Sequence, residues 1–193
     1  MLNLLSKFRR AKDGVAAIEF ALFLPVLTVL ILGLIEITSA LQCRQRVTAL
    51  ASSSADLVAQ YNQVSSSEMT DIFSAVNQVL YPFPTSASTV VISSVLSDGA
   101  GNGKVAWSRA SAGGSARSTN SSVTVPTGLM PAYVCSGGVC TGCAAGACSV
   151  IMSEVRYNYT SYSNTAKFIT GQLTLTDSFY AKPRRSTTVT LGS

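Results

Sequence analysis

The sequence predicts an α+β protein, in which a long N-terminal transmembrane helix continues into an exported head with a second helix and an antiparallel sheet. Three observations support this fold class. Residues 20–35 carry no charge, a Ser-x-x-Glu capping box at Ser65 marks a second helix, and the segments with strand-like alternation all follow these helices. Because no helical pattern separates the later strands, they are expected to pair antiparallel.

The transmembrane helix is predicted from the apolar run and its flanks. Residues 15–37 would form a helix about 35 Å long, which exceeds the roughly 30 Å of a bilayer's hydrocarbon core. Glu19 and Glu36 then lie near its two edges. Basic residues precede the helix, so the positive-inside rule places the N-terminus in the cytoplasm and the head on the other side. These basic residues are Lys7, Arg9, Arg10 and Lys12.

The chain is therefore divided into a basic leader (1–14), the transmembrane helix (15–41), a helix extension (42–64) and an extracytoplasmic α+β head (65–193). In the extension, apolar side chains recur at helical spacing from Val47 to Tyr61. This stripe is expected to pack onto the chain's own head. A contact reserved for another subunit is the alternative.

In the head, Glu68 completes the capping box, and the apolar face of the second helix follows it. Alternation predicts five strands, at residues 89–95, 104–109, 122–125, 151–160 and 172–181. Residues 97–104 and 110–121 are rich in Gly, Ser and Ala and are predicted loops. The helix face consists of Met69, Ile72, Phe73, Val76, Val79 and Leu80.

The composition excludes several functional classes. Of the 193 residues 12% are charged and 47% hydrophobic, which is typical of neither a disordered chain nor an ordinary soluble protein. The net charge is +5, but the first fourteen residues hold four basic residues and Asp13, so they supply +3 and leave +2 for the rest. Nucleic-acid binding is thereby disfavoured, and the lack of histidine removes His-dependent catalysis and His-containing zinc sites. We expect no enzyme activity, small-molecule substrate, metal or other cofactor.

Four cysteines lie close together at 135, 140, 143 and 148 in a Gly/Ala-rich loop. An even number in an exported loop predicts two disulfides, and three pairings are open, of which we prefer Cys135 with Cys148 and Cys140 with Cys143. A four-thiolate zinc site is the competing interpretation. Cys43 remains unpaired in this scheme and is expected to be a small buried or membrane-edge residue.

Residues 9–36, which include the run GVAAIEF, resemble the N-terminal signature of the TadE-like family of tight-adherence (Flp-type) pilus assembly proteins, itself similar to type IV prepilin-like minor pilins. In prepilins a membrane peptidase cuts after a Gly that ends the basic leader, and the fifth residue of the product is Glu, followed by an aromatic residue. Gly14, Val15, Glu19 and Phe20 occupy these positions. The resemblance covers about residues 9–58, and beyond them only the closing segment 150–185 has the general look of the family.

The resemblance implies a minor pilin-like (pseudopilin) component of a tight-adherence pilus, which assembles through its N-terminal hydrophobic helix after prepilin-peptidase cleavage between Gly14 and Val15. The amine on Val15 of an adjacent subunit would neutralise Glu19, although Glu19 at the cytosolic headgroups is an alternative. The implied location is the bacterial inner membrane, with a single pass and a periplasmic head, or the pilus itself. The implied partners are other pilins, pilus-assembly membrane proteins and the prepilin peptidase.

Other functions fit the same N-terminal pattern. An uncleaved signal anchor would make the protein a membrane-anchored periplasmic adaptor of pilus or secretion machinery, and a signal peptide cleaved after residues 38–40 is a further alternative. An anchored enzyme would need acidic residues that converge in the head. Glu154 and Asp177 are the pair whose proximity in a cleft would indicate one.

Overall fold

The computed structural model describes residues 14–136, 138–161 and 173–192 and confirms the α+β class. Within these residues, two α-helices precede most of the strands. The main sheet has five strands in the order β4-β3-β2-β7-β8, and every neighbouring pair in it is antiparallel. The elements are α1 (Val15–Ala59), β1 (Gln63–Val64), α2 (Ser66–Asn77), β2 (Ser88–Ser97), β3 (Gly103–Ala110), β4 (Ser122–Val123), β5 (Val134–Ser136), β6 (Val139–Thr141), β7 (Ser149–Tyr159), β8 (Leu173–Ala181) and β9 (Thr190–Leu191).

The chain forms two compact units, and α1 contributes to both. In its described part, the first unit is the helix up to Leu41, which continues through Pro25 without a break. Apolar side chains in this stretch are exposed all around the helix. A helix that is apolar on every side is typical of a membrane-spanning segment.

The second unit comprises Gln42–Thr160 and Gln172–Ser193, and residues 42–59 of α1 form one of its layers. Side chains on one face of this segment are fully buried, including Val47, Leu50 and Val58, which confirms packing within the chain. Polar contacts also join the helix to the rest of the unit. The Oγ atoms of Ser54 and Ser153 lie 2.6 Å apart. Thr48 donates to Asp177, and Arg184 forms a salt bridge with Asp56.

Helix α2 begins at the predicted capping box. The backbone N–H of Glu68 donates to the Ser65 hydroxyl, and the Glu68 carboxylate accepts from the Ser65 backbone N–H at 2.8 Å. The backbone N–H of Ser65 and, second, its hydroxyl both donate to the Glu68 carboxylate and lower the pKa of Glu68, because they favour its charged form. The predicted apolar face extends beyond α2, since a 3₁₀-helix (Gln78–Leu80) follows and buries Leu80.

The two faces of the sheet bury different cores. On one face Ser153 and Tyr157 of β7 lie towards α1 and the turn after α2, where burial raises the pKa of Tyr157 to about 12. On the opposite face a smaller apolar cluster lies at one end of the sheet. It consists of Val95, Val105, Val123, Val125, Met130, Val150 and Met152.

Two short strands join distant parts of the chain. Helix α1 ends at Ala59, before the predicted boundary of the helix extension at residue 64, because Gln63 and Val64 pair in parallel with Thr190 and Leu191. The C-terminal segment enters the core next to this pair. The Val189 carbonyl accepts hydrogen bonds from the Trp107 indole at 2.8 Å and from the Ser94 hydroxyl at 3.3 Å.

Candidate functional site: the N-terminal helix and the polar groove

The predicted processing and assembly residues lie at the start of α1. Gly14 directly precedes the helix, and a Cβ built on it would meet no atom of the described residues within 4 Å. Val15 and Phe20 are 54% and 62% exposed, and Glu19 is exposed as well. Because Glu19 is four residues after Val15, both side chains lie on the same face of the helix. The Gly14–Val15 bond and the Glu19 carboxylate are therefore within one helical turn of each other.

This helix is long and apolar enough to cross a membrane, and within the described residues it alone has that property. Its length and composition indicate a membrane anchor that leads into a C-terminal head. Glu36 differs from the sequence-based expectation of an interfacial carboxylate, because it is only 5% exposed. Its burial continues the face of α1 that holds Cys43 and Val47, at spacings of seven and four residues.

The four clustered cysteines form two disulfides, but the preferred pairing was wrong. Cys135 pairs with Cys140, and Cys143 pairs with Cys148. The reason is a β-hairpin, which the sequence pattern did not reveal. Strands β5 and β6 place Cys135 directly opposite Cys140, with their Cα atoms 4.0 Å apart. Both disulfides consume the thiolates that a zinc site would need, so the zinc interpretation is wrong as well.

The two disulfides differ in their surroundings. Cys135 and Cys140 are exposed, whereas Cys143 is buried. The carbonyls of Cys143 and Cys148 accept hydrogen bonds from the hydroxyl and the backbone N–H of Ser97, at 3.0 and 2.9 Å. The second disulfide therefore also holds the end of β2. Cys43 is free and fully buried, which agrees with the first of its two predicted environments, a small buried residue.

We expect unequal losses of stability when each disulfide is removed. Each closes a loop of about six residues, which is worth about 2 kcal/mol by loop entropy. The variant C143S/C148S should lose more than this, because it also loosens the contacts of Ser97, and C135S/C140S should lose this amount or less. Urea unfolding of both variants under oxidising conditions measures the difference, and equal losses would contradict it.

A polar groove of about 880 Å³ is lined by residues of β2, β7 and β8 and is bordered by the loop after β3. The loop is fixed over the sheet by Arg117, whose Nε and Nη2 donate to the two carboxylate oxygens of Glu154 at 2.6 and 2.7 Å. This bidentate contact raises the pKa of Arg117, since the carboxylate favours the charged guanidinium. Thr89, Arg156 and Thr176, neighbours across three strands, form part of the floor.

Glu154 and Asp177 both border this groove, but they do not form a catalytic pair. Glu154 lies opposite Ser178, and Asp177 lies opposite Val155. Since successive side chains of a strand alternate between faces, the two carboxylates are on opposite faces of the sheet. Glu154 pairs with Arg117, whereas Asp177 accepts a hydrogen bond from Thr48 of α1. The convergence that would indicate an enzyme is therefore not provided by this pair.

Comparison with known proteins bears on α1. The family model described as TadE-like protein matches residues 14–56, which begin at Gly14 and contain most of α1. No curated protein and no solved structure matches the chain. The strands of the main sheet lie outside the matched segment. The match confirms the resemblance predicted from the GVAAIEF run: residues 14–56 of this chain are similar to TadE-like proteins.

Proposed function

We propose that this protein is a minor pilin-like component of a tight-adherence pilus, which assembles through α1 after prepilin-peptidase cleavage between Gly14 and Val15. The TadE-like match on residues 14–56 carries the proposal, because that family implies a role in tight-adherence pilus assembly. This role is structural and requires no catalysis by the chain. The expected location is the bacterial inner membrane, with the head in the periplasm.

The start of α1 supports the cleavage step. A peptidase needs access to a sterically open bond, and Gly14 is exposed, with no atom of the described residues within 4 Å of an added Cβ. The product would begin with the amine of Val15, four residues before Glu19. Assembly would then bring this amine of one subunit to the Glu19 carboxylate of the next, since an unpaired carboxylate in hydrocarbon is costly.

The exposed surface of α1 supports assembly through the helix. From Val15 to Leu41 its large apolar side chains are 47–73% exposed within the described residues. A bilayer would cover this surface before assembly, and the helices of neighbouring subunits would cover it in the pilus. Because residues such as Leu50 are buried within the second unit, the earlier part of α1 is the segment available to the bilayer and to neighbouring helices.

The decisive measurement is the N-terminus of the protein purified from membranes of cells that contain a prepilin peptidase. We expect the chain to begin at Val15. The variant Gly14→Val should retain Met1, because a β-branched side chain crowds the scissile bond. Intact mass and N-terminal sequencing distinguish the two products.

A matched control is Gly33→Val on the same helix, where an added Cβ also meets no atom of the described part of the chain within 4 Å. Its N-terminus should be Val15, as in the parent. If the parent itself retains Met1, the pilin-like function is wrong. The protein would then be an uncleaved membrane-anchored adaptor of pilus or secretion machinery.

A further inference from the structure

The turn that follows the second helix carries an unusually exposed aromatic side chain. Tyr81 is 78% exposed, the largest value for any large hydrophobic side chain within the described residues. The turn itself is held firmly by the core. Phe83 packs edge-on against Tyr159 with ring centroids 6.4 Å apart, and the Tyr157 hydroxyl donates to the Pro84 carbonyl at 3.2 Å. The exposure of Tyr81 is therefore a property of a fixed turn.

This turn lies beside the part of α1 that follows the apolar run. A cavity of about 480 Å³, here called the notch, separates the two. Pro82 and Phe83 line one side, and the other side is lined by residues of the helix between positions 42 and 49. These helix residues are Gln42, Gln45, Arg46 and Ala49.

The distance of the notch from the membrane follows from the chain itself. Gln42 directly follows Leu41, the last large apolar residue of the exposed stretch. At 1.5 Å per residue, Arg46 lies about 7.5 Å further along the helix. The polar headgroup layer of one leaflet is about 5–7 Å thick. With the hydrocarbon ending near Leu41, Gln42 and Gln45 of the notch lie within the headgroup layer and Arg46 lies at its outer edge.

The charges and side-chain types of the notch fit phospholipid headgroups. Residues 42–49 and 81–87 contain Arg44 and Arg46 and no acidic residue. Both arginines are exposed, and neither belongs to a salt bridge among the described residues, but only Arg46 lines the notch. Arginine binds phosphate through several donors, and tyrosine, with an apolar ring and a polar hydroxyl, is enriched at membrane interfaces.

We infer that the notch is a lipid-contact site, in which Arg46 binds a phospholipid phosphate of the leaflet next to the head and the adjacent Tyr81 enters the headgroup layer. This inference rests on the membrane anchor of the proposed function, but not on leaflet sidedness or on pilus assembly. The contact gives the second unit a fixed membrane-facing side while the protein is in the bilayer. Extraction into a pilus would have to break it.

Tryptophan quenching in nanodiscs tests the contact with the full chain. We expect a headgroup-nitroxide lipid to quench the added indole of Y81W several-fold more than that of T124W. Thr124 is a matched control, because it is also exposed and directly follows β4. Strand β4 pairs with Gly103 of β3, and Gly103 in turn pairs with Ser97 at the end of β2. Ser97 lies at the far end of β2 from Ser88 and from the turn at residues 81–84. The parent protein corrects for Trp107.

Two further variants separate the inference from the anchor. Arg46→Gln should lower the quenching of Y81W towards the level of T124W, and unchanged quenching would overturn the phosphate contact. L30W, in the middle of the apolar run, should be quenched by an acyl-chain nitroxide. If L30W is quenched but Y81W matches T124W, the lipid-contact site is wrong and the anchor stands. If L30W is not quenched, the membrane anchor itself is wrong.

Discussion

The variant Glu19→Ala is expected to insert into the membrane as well as the parent or better, and to assemble few or no tight-adherence pili. Removing a carboxylate from the apolar helix saves at most about 2.5–3.5 kcal/mol, which is the insertion-scale cost of a charge at the centre of a membrane helix, because Glu19 lies near one edge. The same change removes the partner of the neighbouring subunit's amine on Val15. Membrane fractionation measures insertion, and electron microscopy with sheared-pilus yield measures assembly.

Two substitutions at the same position sharpen this experiment. Glu19→Gln keeps the size of the side chain but not its charge, so it should fail like Glu19→Ala. Glu19→Asp keeps the charge on a side chain one methylene shorter and should restore part of the piliation. Normal pili with Glu19→Ala or Glu19→Gln would contradict the intersubunit pair. Cleavage after Gly14 is tested independently, by determining the N-terminus of the protein.

Ending the chain after Ser186 is expected to unfold the second unit or to lower its free energy of unfolding by several kcal/mol. The deletion removes β9 and Val189, which is 2% exposed. It also leaves the buried Trp107 indole N–H without its acceptor. A buried valine contributes about 1.5–3 kcal/mol and an unsatisfied buried donor costs about 1–3 kcal/mol. Their sum is a large part of the total stability of about 5–15 kcal/mol that a domain has.

Point variants separate these contributions. Val189→Ala keeps the backbone carbonyl and loses only apolar packing, so it should cost less than the deletion. Val139→Ala is the matched control, because Val139 belongs to the short strand β6 but is 66% exposed. It should change the free energy of unfolding by less than about 0.5 kcal/mol. Urea unfolding followed by Trp107 fluorescence gives the values. A deletion as stable as the parent would show that the C-terminal contacts are dispensable.

Local patterns predicted most of the fold. The capping box at Ser65 places the start of α2, because the two hydrogen bonds that define it come from residues three positions apart. The five strands of the main sheet were predicted within a few residues, since alternation reflects which side chains face a core. The N-terminal signature was equally local, and its TadE-like resemblance is confirmed on residues 14–56. The roles of Gly14 and Glu19 stay predictions.

Long-range pairing limited what the sequence could predict. Strands β1 and β9 have two residues each, which is too short for any periodicity, and the partners are more than a hundred positions apart. The disulfide pairing depended on the register of β5 and β6 in a loop rich in Gly and Ala. The separation of Glu154 from Asp177 likewise depended on the register of β7 and β8. In each case the deciding contact joins segments whose own residues carry no signal for it.

The face of α1 within the second unit is built from unusually small side chains. Ala51, Ser54, Ala55 and Ala59 are all buried to 1% exposure or less. Where a helix lies so near its neighbours, an added methyl group has no free volume to enter. These four positions should therefore tolerate only the smallest amino acids during evolution, while residues on the opposite side of the same turns vary freely in size and charge.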